Sequence, residues 1–191
     1  MLKKLVVGLY QSNCYILGHK ETGEGLVIDP GGEVSHILTE ISKSDLKIKY
    51  IFLTHNHVDH IGGAAELKEK TGAPLLIHAL DAPGLRVKPE RQLQEGDNFK
   101  LGTYFISVIH TPGHSAGGIC LHTPGAVFTG DTLFAGSIGR TDFPGGSHQK
   151  LLEGVMKKIF PLGDELRVYP GHGPATSIGR ERLHNPFFRM G

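Results

Sequence analysis

The sequence predicts a layered α/β domain, in the α+β sense, on three observations. Short apolar runs recur along the chain, helical periodicity appears between some of them, and glycine or proline punctuates the junctions. The 191 residues are enough to bury a sizeable core and suit one domain, 1–191, better than two.

The elements follow in order. The apolar run within residues 1–10 is expected to be a first strand. Gln11-Ser12-Asn13 breaks it, and no small-residue cleavage site follows, so it does not fit a signal peptide. Leu26-Val27-Ile28 is the next strand, closed by the turn signal Asp29-Pro30-Gly31-Gly32. Val34, Ile37, Leu38 and Ile41 keep the i, i+3, i+4, i+7 rule of a helix. Further strands are expected over 48–53, 74–77, 104–109, 118–121, 126–128 and 166–169. Residues 66–71 read as the end of another helix, closed by Gly72. Leu151, Leu152, Val155, Met156, Ile159 and Phe160 mark a helix capped by Ser147 and stopped by Pro161. A last helix is expected from about 176 to 184, before Pro186.

Charge and cysteine content narrow the function classes. Twenty Lys and Arg against nineteen Asp and Glu leave a net charge of +1, without the basic excess that nucleic acid or anionic membrane binding usually needs. No stretch approaches the length of a membrane span. Cys14 and Cys120, outside any C-x-x-C pair, read as reduced core thiols, which makes the cytoplasm the expected location. The twelve histidines are the exceptional feature, because they cluster and so point to metal or acid–base chemistry.

The densest cluster is Thr54-His55-Asn56-His57-Val58-Asp59-His60. In extended backbone His55 and His57 share a face and can reach one ion. After a bend, Asp59 and His60 can project toward a second point. Such ligand density has little structural use. Three further candidates, His114, Asp131 and His172, each sit just past an apolar strand beside glycine or proline. By spacing alone, each of these three fits a structural role as well as a ligand's. His19, His36 and His184 read as structural, and His110 as a buried structural histidine. His78, His122 and His148 are left undecided. Tyr169 is expected to pack beneath the His172 loop.

The run T-H-x-H-x-D-H, with Val27-Ile28-Asp29-Pro30-Gly31-Gly32, Thr111-Pro112-Gly113-His114, Gly130-Asp131-Thr132 and Pro170-Gly171-His172-Gly173, resembles the metallo-β-lactamase superfamily over nearly the whole chain. The resemblance implies a four-layer αβ/βα sandwich with metals at one edge. It implies that His55, His57 and His114 hold one ion, that Asp59, His60 and His172 hold a second, and that Asp131 bridges them. Asp59 and Asp131 are the carboxylates it places in catalysis, and Asp29 is expected to orient a ligand histidine. The ions are two divalent metals, zinc foremost, with iron or manganese equally suited to these donors.

Within that superfamily, the run from Gly130 through Gly139-Arg140-Thr141-Asp142-Phe143 resembles glyoxalase II-like thioesterases of the compact bacterial type, with Arg140 at the position of a basic residue that holds glutathione. The expected partner is a small thioester, glutathione-linked in the enzymes it resembles, while the C-terminal helical domain that completes the glutathione pocket of full-length glyoxalase II is not expected here. Water held between two divalent ions loses its proton near neutrality and becomes the nucleophile. A thiolate leaving group, with a thiol pKa of about 8.5, needs no strong acid. The rivals are a persulfide dioxygenase, whose single iron would sit on His55, His114 and Asp131, and a lactonase on the same scaffold. A nuclease is disfavoured by the neutral charge, and a purely structural role by the ligand density. Oligomeric state is not legible.

Overall fold

Strand alternation sends side chains to both faces of two sheets, and the fold follows from where those faces are covered. The structure, a computed structural model, describes residues 1–189. Strands β1 (Leu2–Val7), β2 (Ser12–His19), β3 (Glu24–Ile28), β4 (Lys47–Phe52), β5 (Leu75–His78) and β6 (Arg91–Leu93) form one sheet in that order. The second sheet has the order β14-β13-β10-β9-β8-β7. Its strands are β7 (Asn98–Leu101), β8 (Tyr104–His110), β9 (Ile119–Thr123), β10 (Ala126–Gly130), β13 (Arg167–Pro170) and β14 (Thr176–Ser177). A small hairpin, β11 (Leu133–Phe134) with β12 (Ser137–Ile138), stands apart.

Between the sheets lie Leu26, Ile28, Phe52 and Leu76 from the first and Ile106, Val108, Leu121 and Phe128 from the second. Their strand neighbours point the other way. Val27, Ile51, Leu53, Leu75 and Ile77 pack on helices α1 (Val34–Lys43) and α3 (Ala64–Thr71) through Val34, Ile37, Ile41 and Leu67. Cys120, Val127 and Val168 pack on α4 (His148–Gly154), on the turns that continue it, and on α5 (Ile178–His184). Helix, sheet, sheet and helix make the four-layer sandwich, with period-2 patterning burying both faces of each sheet.

Several boundaries differ from the sequence expectation. The first strand ends at Val7, since Gly8 and Gln11 turn the chain with φ of 70° and 54°. Gln11 closes that turn and Ser12-Asn13 opens β2, which together with β6 and β7 has no distinct sequence signal. The helix capped by Ser147, whose side chain accepts from the Lys150 N–H, is α-helical only to Gly154. It widens over Val155–Ile159 and tightens over Phe160–Leu162, because Pro161 supplies no N–H to the ladder. Thr176 and Ser177 pair with β13 rather than opening α5, and Ser177 instead caps that helix by accepting from the Arg180 N–H. Gly72, at φ 68°, closes α3.

Candidate metal centre

Strand direction gathers the chemistry at one edge. β3, β4 and β5 run parallel, so the residues past their ends, Asp29, the 54–60 segment and Asp81, emerge side by side. In the other sheet β9 is antiparallel to both β8 and β10, and β13 is parallel to β10. The ends of β8, β10 and β13 therefore share an edge, and from them leave the segments carrying His114, Asp131 and His172.

Locally, His57 is extended (φ −69°, ψ 144°) and is followed by the single helical turn α2 (Val58–Ile61), which turns Asp59 and His60 away from the His55–His57 face. Pro30-Gly31-Gly32 lies against this turn so closely that a Cβ on Gly31 would overlap the Asp59 carbonyl oxygen, which makes glycine obligatory there. Likewise a Cβ on Gly171 would run into the Asp131 carboxylate.

All seven candidate side chains meet. They form three overlapping sets, His55–His57–His114, His55–His60–Asp131 and Asp59–His60–His172, in each of which the potential ligand atoms lie within 4.8 Å of one another. Asp131 stands between the halves, with Oδ1 3.4 Å from His60 Nε2 and Oδ2 3.4 Å from His114 Nε2 and 3.7 Å from His172 Nε2. Among the described residues, the buried side-chain atoms without a hydrogen-bond partner are His55 Nε2 and Asp131 Oδ1. Buried polar atoms are almost always satisfied. An imidazole lone pair and a carboxylate oxygen left bare at the centre of these sets fit a metal ion.

Hydrogen bonds set the histidines for that task. The Thr54 hydroxyl donates its one proton to Asp29 Oδ2 (2.7 Å), so toward His55 Nδ1 (3.0 Å) it can act as acceptor. His60 Nδ1 donates to Asp29 Oδ2 (3.0 Å), and His114 Nδ1 donates to the Arg140 carbonyl (2.7 Å). Each ring is thereby held through Nδ1 and turns Nε2 toward the centre. Asp29 thus orients His60 directly and His55 through Thr54.

Charge points the same way. Burial, and then repulsion from His60, His114 and His57, pushes His55 well below its ordinary pKa. Burial works to raise Asp59, but hydrogen bonds from His172, His60 and Ser12 outweigh it and hold the carboxyl well below the usual range. Burial works to lower His60, but Asp29 and Asp59 lift it well above its ordinary value, and the hydrogen bond to Asp59 raises His172. Asp29, Asp59 and Asp131 together demand positive charge.

The centre opens into a cleft of about 680 Å³ with apolar walls from Tyr10, Val58, Phe134 and Phe143. Arg140 lines it too, but its Nε and Nη2 are engaged by Asp142 at 2.7 and 2.6 Å, and its guanidinium lies 4.1 Å over the Phe143 ring.

Some supporting residues escaped the sequence. Ser12 Oγ donates to Asp59 Oδ2 (3.0 Å), and the Asn13 N–H donates to the Gly171 carbonyl (2.7 Å). The residue beneath the His172 loop is Tyr15, whose hydroxyl donates to the Pro170 carbonyl (2.6 Å). Tyr169 instead stacks on Phe128 in the inter-sheet core. His110 is part-exposed rather than buried, donates to the Ala116 carbonyl (3.0 Å) and stacks on His78. His19 lies between Thr22 and Thr103. Cys14 and Cys120 are free and buried, and burial pushes Cys120 up to about 11.

Comparison with known proteins bears on what this edge is for. The profile of the metallo-beta-lactamase superfamily matches residues 7–172, and the hydroxyacylglutathione hydrolase GloC of Haemophilus influenzae is 36% identical over 95% of this chain and 94% of its own. The chain belongs to the metallo-beta-lactamase superfamily. It is therefore a metal-dependent hydrolase of that superfamily, and the mixed α/β sandwich is the superfamily's fold. Among solved structures, the BLEG-1 B3 metallo-beta-lactamase superposes with a TM-score of 0.92 at 34% identity, covering 98% of this chain and 99% of the other. TTHA1623 in a di-iron-bound form superposes with a TM-score of 0.85 at 37% identity, covering 97% and 99%. Among the described residues, no helix is long and apolar enough to cross a membrane.

Proposed function

We propose that the chain hydrolyses small thioesters of the S-2-hydroxyacylglutathione type to a hydroxy acid and a thiol. In this reading two divalent ions, zinc foremost, sit in the seven-residue centre, and the single domain 1–191 suffices for the chemistry. The observation that carries it is the pair of bare buried atoms, His55 Nε2 and Asp131 Oδ1, set among two complete three-residue ligand sets. His55, His57 and His114 would hold one ion and Asp59, His60 and His172 the other, with Asp131 shared. A single ion would leave the second set idle.

Bound divalent ions would supply Lewis acidity that activates water and polarises the substrate carbonyl. The protein's part is to fix the donors before substrate arrives, through Asp29, Thr54 and the Arg140 carbonyl. The apolar walls at Val58, Phe134 and Phe143 hold the acyl group and exclude water. Outside the ligand set, the ionisable groups lining the cleft are Tyr10 and Arg140, both weak acids. A leaving group that departs as an anion suits such a cleft, and a thiolate does so where an amine does not. The likeness to a hydroxyacylglutathione hydrolase matched over 94% of its own length supports the same substrate class.

The test is metal content per chain by elemental analysis, with steady-state hydrolysis of S-lactoylglutathione on the same sample. About two ions with rapid hydrolysis is the expected result. About one iron, no hydrolysis, and oxygen uptake on glutathione persulfide would replace the thioesterase with the dioxygenase. Rapid turnover of lactones alone would replace it with the lactonase.

Arg140 has a bounded part in this reading. Because Asp142 already holds its guanidinium and the pair is exposed to solvent screening, its pull on an anionic thiol moiety is weak. Arg140→Ala is expected to raise KM about fivefold with kcat little changed. Steady-state kinetics across substrate concentrations checks this, and a fall in kcat instead would move Arg140 into the reacting geometry.

A further inference from the structure

Asp81 is a buried carboxylate, 2% exposed, that the metal ligands do not touch. It lies just past the end of β5, as Asp29 lies past the end of β3. Its Oδ1 accepts from the Gly117 N–H (2.7 Å), and its Oδ2 accepts from Ser115 Oγ (2.8 Å) and the Asn56 N–H (3.2 Å). Its own carbonyl accepts from Asn56 Nδ2 (3.2 Å). Asn56 stands between His55 and His57, and Ser115 follows His114. One carboxylate therefore ties the backbone that presents His57 to the backbone that presents His114, and His57 Nδ1 and His114 Nε2 lie 2.8 Å apart.

The surroundings are shaped for this junction. A Cβ on Gly117 would come within 2.7 Å of the Asp81 carboxyl carbon. The neighbouring ring of His78 stacks on His110 at 4.0 Å, and His110 in turn donates to the Ala116 carbonyl, so the segment that carries Asp81 is joined to the His114 segment a second time. Among the described residues no cation pairs with Asp81, although a buried carboxylate is costly without compensation. What compensates it is three donors converging on an acceptor-only group. An amide of the same shape would turn a donor toward at least one of them.

We propose that Asp81 is a positioning residue for the His55–His57–His114 half of the centre, fixing the separation of the two segments that carry His57 and His114. Asp29 acts on His55 and His60 by hydrogen bonds to their rings or through Thr54, whereas Asp81 acts on backbone. The inference rests on the two-ion reading above. It gives that reading an internal asymmetry, because Asp59, His60 and His172 receive nothing from Asp81.

The test compares the wild type with Asp81→Asn, both loaded with Zn2+ and challenged with a graded series of chelator. Zinc per chain is read by elemental analysis and the bound rings by histidine side-chain NMR. In Asp81→Asn one ion should leave at about 10- to 100-fold lower chelator strength while the other leaves as in the wild type. The imidazoles of His57 and His114 should lose their metal-bound signals before those of His60 and His172. Ser115→Ala, which removes one donor of the three, should weaken the same ion less, and it reads the same selectivity if Asp81→Asn fails to fold. Retention of both ions as in the wild type, or equal weakening of both, would overturn the inference. A wild type holding fewer than two zinc ions would overturn the two-ion reading, and this inference with it.

Discussion

Asp131→Ala is expected to lower kcat/KM for S-lactoylglutathione about a thousandfold while leaving the protein folded. Asp131 is the carboxylate within 3.4 Å of a ring nitrogen from each half of the centre, on His60 and on His114. Its negative charge is what would let two cations sit close together, and Lewis-acid stabilisation in such sites is worth several kcal/mol. At a tenfold rate change per 1.36 kcal/mol, losing about 4 kcal/mol gives that thousandfold drop. The fold should tolerate the change for a reason visible in the structure. Asp131 Oδ1 accepts no hydrogen bond, so truncation leaves no buried donor unsatisfied, and the usual penalty for deleting a buried polar group does not arise. Asp131→Asn, keeping one oxygen and the side-chain shape, should fall between the two. Steady-state kinetics on zinc-loaded protein, with thermal melting of the metal-free protein alongside, checks both halves. Turnover within tenfold of the wild type would remove Asp131 from the centre of the mechanism.

Local chemistry was legible in the sequence where one segment carried it all. His55, His57, Asp59 and His60 lie within one run, so period-2 geometry followed by a helical turn already sends them to two points. His114, Asp131 and His172 were ambiguous because their meeting depends on β9 reversing direction between β8 and β10, a pairing that no residue pattern declares. The helices showed through the burial of Val34, Ile37 and Ile41 on one side and Leu151, Val155 and Ile159 on the other. β2 did not, since Ser12 and Asn13 read as a polar break in an apolar run although they are buried and bind the Asp59 side chain and the His172 loop. Asp81 was hidden for a similar reason. In Leu80-Asp81-Ala82-Pro83-Gly84 it looks like turn chemistry, and only its place past a parallel strand beside β4 gives it partners. Arg140 was found by resemblance, but the neighbour that limits it, Asp142, stood two residues away in plain view.

Asp29→Asn should weaken both ions, unlike Asp81→Asn, and it separates ring orientation from loop spacing. Asp29 sits at φ 51°, a conformation that asparagine tolerates and alanine does not, so the amide is the clean substitution. Its carboxylate accepts from the Thr54 N–H (2.7 Å), the Thr54 hydroxyl (2.7 Å) and His60 Nδ1 (3.0 Å). An amide offers its oxygen either to the Thr54 N–H or to the two groups on Oδ2, and since an NH2 against the Thr54 N–H would set donor on donor, the oxygen stays on the Thr54 N–H. With the oxygen on the Thr54 N–H, the NH2 faces His60 and the Thr54 hydroxyl. His60 then takes the proton on Nε2, the atom meant for the ion, and Thr54, released from donating to Asp29, donates to His55 Nδ1 and moves that proton to Nε2 as well. Both ligand rings are left in the wrong tautomer. The expected result is a 10- to 100-fold loss of affinity at each ion, of the order found for residues that orient metal-bound histidines, with a fall of about a hundredfold in kcat/KM at limiting zinc. Chelator competition on the metal-loaded variant measures the first and kinetics the second. Excess zinc should recover much of the activity, since a bound ion can displace the misplaced proton. If both ions stay as tightly held as in the wild type, ring orientation by Asp29 is not what readies this edge for metal. If one ion alone is weakened, the relay through Thr54 to His55 fails while the direct contact to His60 stands.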